Sequence, residues 1–326
     1  MTGATGTANA AGPVTGAGNG TWMPPLAPAT ERALKETGLD ATEVARVVRT
    51  ALDEDFRYGP DVTSSATVAG RTVTARVVAR EPGVVAGLPV ALAVLDLIRA
   101  YLGDGPAGID ATLLTADGAR VSAGDAVLRV SGDAVAVLGA ERTMLNLLTH
   151  LSGIASTTRS WADAVAGTGA VVRDTRKTLP GLRSLQKYAV RRGGGENHRM
   201  GLGDAALVKD NHVAAAGGVT AAVRAVSAAA RPGLVIEVEC DSVAQVREAL
   251  EAGARFILLD NMPVPALREA VATARSYDGV RLEASGGLRL SNAREVASTG
   301  VDYLAVGALT HSSRVLDLGL DYSGED

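Results

Sequence analysis

LVIEVECDSVAQVREALEAGARFILLDNM, residues 234–262, reads as a short β-branched run, an amphipathic helix, and a second run, FILLD, that is apolar up to its final aspartate. Strand, helix, strand with continuously apolar strands means a parallel sheet covered by helices. The same rhythm begins after Gly169. AVVRDT, AALVKD, LVIEVE, RFILLD, VRLEAS and DYLAVG are the runs, with amphipathic helices such as SVAQVREALEAG and SNAREVASTG between several of them. Six such strands fit an open Rossmann-like sheet or a barrel. The strand ends favour the barrel. Arg176 and Lys177 lie just past the first strand, followed by Lys209, Glu239, Asp260, Ser285 and Gly307 at later ones. Parallel barrels gather their sites from the C-terminal ends of several strands, whereas an open sheet uses mainly the crevice at its switch point.

Upstream of Gly169 the pattern is mixed. Residues 31–52 have helical spacing through Leu39, Val44, Val47, Val48 and Leu52. RTVTARVVAREPGVVAG predicts strands around a turn at Pro82-Gly83, and LPVALAVLDLIRAYLG predicts a helix ended by Gly103. ATLLTADGARVSAGDAVLRVSG predicts short strands with turns at Asp117-Gly118 and at residues 123–125. AVAVLGAERTMLNLLTHLSGIAS and TTRSWADAVAG predict two consecutive helices. Residues 1–20 carry no charged side chain and almost no large apolar one, and residues 1–28 read as a disordered tail. The tail lacks the basic start and apolar stretch of a secretory signal, and no apolar run is long enough to span a bilayer, so the expected location is cytoplasmic. A formal net charge of −4 argues against a general nucleic-acid binder. One cysteine, Cys240, excludes an internal disulfide and a multi-thiolate zinc site.

Residues 173–212, RDTRKTLPGLRSLQKYAVRRGGGENHRMGLGDAALVKDNH, run against that acidity with nine Lys or Arg and four Asp or Glu. Arg176 and Lys177 follow a strand directly and suit a carboxylate or phosphate, since arginine binds either with two parallel hydrogen bonds. Arg191 and Arg192 complement the dipole at the end of the LRSLQKYAV helix, a structural role. His198 and Arg199 follow three glycines that permit close backbone approach. Lys209 can form a Schiff base if burial depresses its pKa, or stay charged and bind an anion. Glu239 and Asp260 can neutralise the cations, hold Mg²⁺, or orient sugar hydroxyls. EASGG and AVGALT place glycine-rich turns after the last two strands, where backbone N–H groups bind phosphate. The sum is a profile for phosphoribosyl transfer to an acidic acceptor.

These residues resemble a known family. TRKTLPGLRSLQKYAVRRGGGENHRMGLGDAALVKDNH, ERTMLNLLTHLSGIAS, IEVE, LLDN, EASGG and VGALTHS are similar to the motifs of quinolinate phosphoribosyltransferases, over about residues 31–320. The resemblance implies an α/β protein: an N-terminal α/β sandwich over residues 29–140, then an incomplete parallel α/β barrel over residues 141–310, with residues 311–326 returning to the sandwich. It implies transfer from phosphoribosyl pyrophosphate to quinolinate with decarboxylation, in de novo NAD synthesis. It also implies Mg²⁺ as cofactor and a homodimer, or a higher assembly, with shared active sites; no nucleic acid or membrane takes part. The quinolinate-binding cations fall on Arg176, Lys177, His198, Arg199 and Lys209, with Thr175 in the same turn and Arg142 reaching across from the neighbouring subunit. Glu239 and Asp260 match the acids near ribose and metal, and with Lys209 form the implied catalytic set. Ser285, Gly286 and Gly287, and Val306, Gly307 and Ala308, match the 5′-phosphate turns. A Schiff-base aldolase using Lys209, a transferase acting on nicotinate, and a non-catalytic barrel binding phosphorylated metabolites are the competing readings.

Overall fold

The computed structural model describes residues 25–102 and 108–322. Its N-terminal layer holds α1 (Pro28–Glu36), α2 (Ala41–Asp55), α3 (Val62–Thr67) and α4 (Leu88–Leu97). With them lie β1 (Thr72–Ala79), β2 (Gly83–Val84), β3 (Asp110–Leu113), β4 (Arg120–Val121) and β5 (Ala126–Asp133). An antiparallel sheet forms with β5 between β1 and β3, and the last strand of the chain, β12 (Leu318–Tyr322), adds to the free edge of β1. The nearly all-apolar α4 is buried between α2 and the long helix that follows, which accounts for its lack of a polar face.

That helix, α5 (Ala134–Val165), leads into the second layer. Parallel strands β6 (Val171–Arg173), β7 (Ala205–Val208), β8 (Val235–Cys240), β9 (Phe256–Asp260), β10 (Arg281–Ser285) and β11 (Tyr303–Ala305) stand in the order β6-β11-β10-β9-β8-β7. The first strand pairs with the last, so the sheet curls into a barrel. Its seam lies between β6 and β7, which share no ladder, and α6 (Arg183–Arg192) lies in the connection between them. Around it run α7 (Asp210–Ala216), α8 (Val219–Ala229), α9 (Val243–Glu251), α10 (Val264–Ala274), α11 (Leu290–Ala297) and the short α12 (Ala308–His311). The outer helices bury one stripe each: Val246, Ala249 and Leu250 in α9, and Leu267, Ala270, Val271 and Ala274 in α10.

Several local expectations change. The helix expected over residues 31–52 is two helices. Gly38 takes a φ of +72°, and the Asp40 side chain caps α2 by accepting from the N–H of Glu43 at 2.9 Å. The strands flanking Pro82-Gly83 do not pair with each other, because β1 is claimed on both edges by β5 and β12 while β2 pairs with β4. Where two consecutive helices are expected, α5 runs unbroken through Gly153. There a side chain would collide with the Arg314 backbone, where the returning C-terminal segment crosses and the Leu316 N–H donates to the Thr149 carbonyl at 3.0 Å. Within the expected tail, residues 25–28 are ordered: Leu26 is buried, the Ala27 N–H donates to Asp96, and Pro28 opens α1. Residues 1–24 and Gly103 lie outside the described residues.

Candidate functional site

The C-terminal ends of the six strands meet at one mouth. After β6 the chain runs through Asp174 into Thr175, Arg176 and Lys177, where the Thr175 hydroxyl accepts from the Lys177 N–H at 3.0 Å and shapes the turn. Arg183 ties this turn to the next cationic segment: Nε donates to the Thr178 hydroxyl and Nη1 to the Met200 carbonyl, both at 3.0 Å. Arg199 anchors Nη1 on the Ala205 carbonyl at 3.0 Å. Burial, and next the like charge of Arg176, hold the Arg199 guanidinium below the usual arginine range. Two guanidinium groups from separate segments thus repel each other across the mouth. The buried Nε of each has no acceptor among the described residues. An anion between them relieves both deficits.

Lys209 caps the start of α7 just past β7. Its side chain is 49% exposed, and Nζ lies 3.6 Å from Glu239 on β8. That is the setting of an anion-binding ammonium, not of the desolvated lysine that Schiff-base chemistry needs. Burial raises the Glu239 carboxyl above its ordinary range. Lys209 opposes that shift, and Asp260 and Asp210 add to it. Asp260 ends β9 and accepts from the Asn261 side-chain amide at 2.9 Å. Asn261 is the one non-glycine residue with positive φ, +52°, among those described. It is held by its N–H on the Ser285 carbonyl at 2.8 Å. Glu239 and Asp260 offer half-buried, hard oxygen donors beside an anion site, a donor set that fits Mg²⁺.

The two glycine turns complete the mouth. Gly286 and Gly287, after Ser285, take φ values of +79° and +62°, and α11 begins just beyond them. Gly307, between Val306 and Ala308, is bare because its neighbours are close. A Cβ there would stand 3.0 Å from Lys177 Cδ and 3.3 Å from the His311 ring. Lys177, Gly307 and His311 therefore gather at one point, and the Thr310 hydroxyl donates to the Lys177 carbonyl at 2.8 Å to fix it. His311 was not among the residues expected at the site, although it lies inside the quoted VGALTHS.

His198 and Arg142 stand apart from this group. The imidazole is buried. Nε2 lies 2.7 Å from Glu237 and 3.4 Å from Glu283, and Nδ1 accepts the Arg199 N–H at 2.8 Å. With both ring nitrogens engaged, His198 supports the cationic segment from beneath rather than facing the mouth as a free cation. Arg142 is exposed on α5, and no hydrogen bond or ion pair links it to the other site residues. Beside it, Thr143 donates to Asp55 in the N-terminal layer.

Beneath the mouth the barrel interior is polar. Arg173 donates Nη1 to Glu283 at 2.6 Å and lies over the Tyr303 and Phe256 rings, 4.4 and 5.4 Å from their centroids. His198, Glu237 and Glu283 place ligand atoms within 4.8 Å of one another, as a metal site would. The Arg173 guanidinium, however, already supplies a counter-charge. The signal for this layer in the sequence is a charged residue inside each apolar run: Arg173, Glu237 and Glu283.

A parallel barrel with a cationic mouth and bare glycine turns after its last two strands suits an enzyme of anionic, phosphorylated substrates. Residues 61–152 match the N-terminal domain, and residues 154–321 the C-terminal domain, of quinolinate phosphoribosyl transferase. The chain belongs to that family. It is 57% identical over 276 residues to the nicotinate-nucleotide pyrophosphorylase [carboxylating] of Mycobacterium leprae, covering 84% of this chain and 95% of that one. Among solved structures, the nicotinate-nucleotide pyrophosphorylase from Francisella tularensis superposes with a TM-score of 0.81 at 35% identity, covering 87% of this chain and 98% of that one. NadC from Streptococcus pyogenes gives 0.80 at 36%, covering 88% and 99%.

Proposed function

We propose that this chain transfers the phosphoribosyl group of phosphoribosyl pyrophosphate to quinolinate, releasing pyrophosphate and CO₂ and forming nicotinate mononucleotide for de novo NAD synthesis. The observation that carries this reading is the pair of mutually repelling guanidinium groups, Arg176 and Arg199, backed by Lys177 and Lys209. A single carboxylate or phosphate needs fewer cations. A dicarboxylate uses them all.

Arg176, Lys177, Arg199 and Lys209 grip the two carboxylates of quinolinate. His198 holds Arg199 in place through the Arg199 N–H, and Arg142 of the partner subunit closes the pocket in a homodimer. The turns at Ser285, Gly286 and Gly287 and at Val306, Gly307 and Ala308 hold the 5′-phosphate. The pyridine nitrogen attacks C1 of the ribose and the bond to pyrophosphate breaks. Glu239 and Asp260 orient the ribose and stabilise its developing positive charge. Glu239 and Asp260 would hold Mg²⁺, which would supply charge neutralisation for the departing pyrophosphate. The C–C bond to the adjacent carboxylate then breaks and CO₂ leaves; the electron pair stays on ring C2, stabilised by the neighbouring positive nitrogen, and a proton from solvent takes the place of the carboxylate. No side-chain nucleophile takes part. No helix among the described residues is long and apolar enough to cross a membrane, and the reaction is assigned to the cytoplasm.

The test is incubation with quinolinate, phosphoribosyl pyrophosphate and Mg²⁺, following nicotinate mononucleotide and CO₂, with nicotinate in a parallel reaction. Product only from quinolinate is the expected result. Product from nicotinate alone would reassign the acceptor, and none from either would return the site to a binding role.

A further inference from the structure

We infer that the buried Asp174–Lys187 pair is a positioning element that sets the spacing between the two cationic arms of the acceptor pocket. One arm, Thr175 to Lys177, is continuous with Asp174. The other, His198 and Arg199, hangs from it. Both side chains of the pair are fully buried, so neither meets a ligand. Asp174 Oδ1 accepts from Lys187 Nζ and from the His198 N–H, the latter at 2.9 Å, while Oδ2 accepts from Asn197 Nδ2 at 2.6 Å. Lys187 Nζ also donates to the His198 carbonyl at 2.8 Å, and Asn197 Nδ2 to the Lys187 carbonyl at 2.8 Å. The Asp174 N–H returns to the Glu196 carbonyl at 3.2 Å. Apart from the ion pair itself, the bonds of these two side chains end on Asn197 or His198.

Burial disfavours both charges, raising the Asp174 carboxyl and lowering the Lys187 amine. Such a pair adds little net stability, because desolvation offsets the attraction. What it supplies is direction. Asp174 leaves β6 and Lys187 stands in α6, so the loop carrying His198 and Arg199 is registered against two rigid elements at once. None of these bonds reaches the Ser285, Gly286 and Gly287 turn. The Gly307 turn packs on Lys177, in the other arm, so loosening the His198–Arg199 arm acts first on the acceptor half of the site.

The inference rests on the proposed function for its kinetic arm only. Wild type and Asp174→Asn, as full chains, are compared with quinolinate and phosphoribosyl pyrophosphate varied separately in the presence of Mg²⁺. The amide keeps the shape but turns a donor either toward Lys187 and the His198 N–H, which share Oδ1, or toward Asn197 Nδ2, on Oδ2. Quinolinate KM should rise at least about tenfold, as expected for a disturbed charge-assisted contact, while phosphoribosyl pyrophosphate KM stays within about twofold. A merely structural role would lower kcat without separating the two constants, and that result, or no change, overturns the inference.

Hydrogen exchange read by mass spectrometry needs no turnover. Exchange should quicken in residues 195–200 of Asp174→Asn and stay unchanged in β9 and β10, and equal protection in both proteins overturns the inference. If wild type exchanges as expected but does not convert quinolinate, the functional reading fails and the positioning role stands. If Asp174→Asn does not fold, Asn197→Ala replaces it. That variant keeps the ion pair and removes two of these bonds, along with the one Asn197 Oδ1 accepts from Arg191 at 2.6 Å, with the same KM split expected at about threefold. An unchanged quinolinate KM there overturns the inference.

Discussion

Arg173 on β6 reaches across the inside of the barrel to Glu283 on β10, two strands away, and donates Nη1 to its carboxylate at 2.6 Å. Glu283 is fully buried, and Glu237 and His198 crowd its other oxygen. Burial, then the charge of Glu237, push the Glu283 carboxyl from 4.5 up to about 7, against the opposing pull of His198 and Arg173. Between those values the folded chain holds a proton that the unfolded chain has released. Stability therefore falls as pH rises from 4.5 to 7, by at most about 3 kcal/mol from this group. Glu283→Gln, which mimics the protonated acid, should flatten that part of the profile. Urea midpoints at pH 5 and pH 7.5 measure it, and parallel profiles would remove Glu283 as the source.

Lys209 offers the cleanest separation of chemistry from folding. It is half-exposed, pairs with Glu239 at 3.6 Å and stands at the start of α7. Lys209→Ala should lower kcat/KM for quinolinate at least tenfold, about 1.4 kcal/mol of transition-state stabilisation, while the urea midpoint barely moves. Borohydride with carbonyl compounds should trap no adduct on the wild-type lysine. Unchanged kinetics in the variant would take Lys209 out of the site.

Gly286 is set against Asn261. Its φ of +79° costs an alanine about 1–2 kcal/mol in backbone strain, and the new methyl would meet the Asn261 amide. Asn261 cannot yield freely, because that amide holds Asp260 and its N–H holds Ser285. Gly286→Ala should raise the phosphoribosyl pyrophosphate KM at least about tenfold, with the quinolinate KM little changed. A variant with wild-type constants would show that the turn does not hold the phosphate.

The barrel and the mouth were legible in the sequence because both follow from local chemistry. Apolar runs such as FILLD can only be doubly covered strands, and the residue ending each run falls where the strand ends converge. What escaped depends on partners distant in sequence. Two helices are expected to meet at Ser156 and Thr157, whereas α5 runs through both, with the returning chain at Arg314 packed against it at Gly153. Lys187, inside LRSLQKYAV, carries no local sign of its buried partner, Asp174. His198 reads as a ligand-facing cation until Glu237 and the Arg199 N–H take both its nitrogens. In each case the residue type was visible and its partner was not.

Glu239 and Asp260 close the argument about metal. Glu239 has Lys209 at 3.6 Å, and Asp260 has the Asn261 amide at 2.9 Å. Each carboxylate thus has a partner within the protein, and the proposed Mg²⁺ is expected to serve the reaction and not stability. Mg²⁺ binds through one or two carboxylates together with substrate phosphates and keeps several waters. EDTA should therefore abolish turnover of quinolinate, and added Mg²⁺ should restore it, while the melting temperature without substrates stays the same in both conditions. Asp260→Asn should raise the Mg²⁺ concentration for half-maximal rate by about tenfold or more, as expected when a carboxylate near the ion is lost. A melting temperature that falls with EDTA would make the ion structural, and full activity in EDTA would leave these two acids the ribose alone.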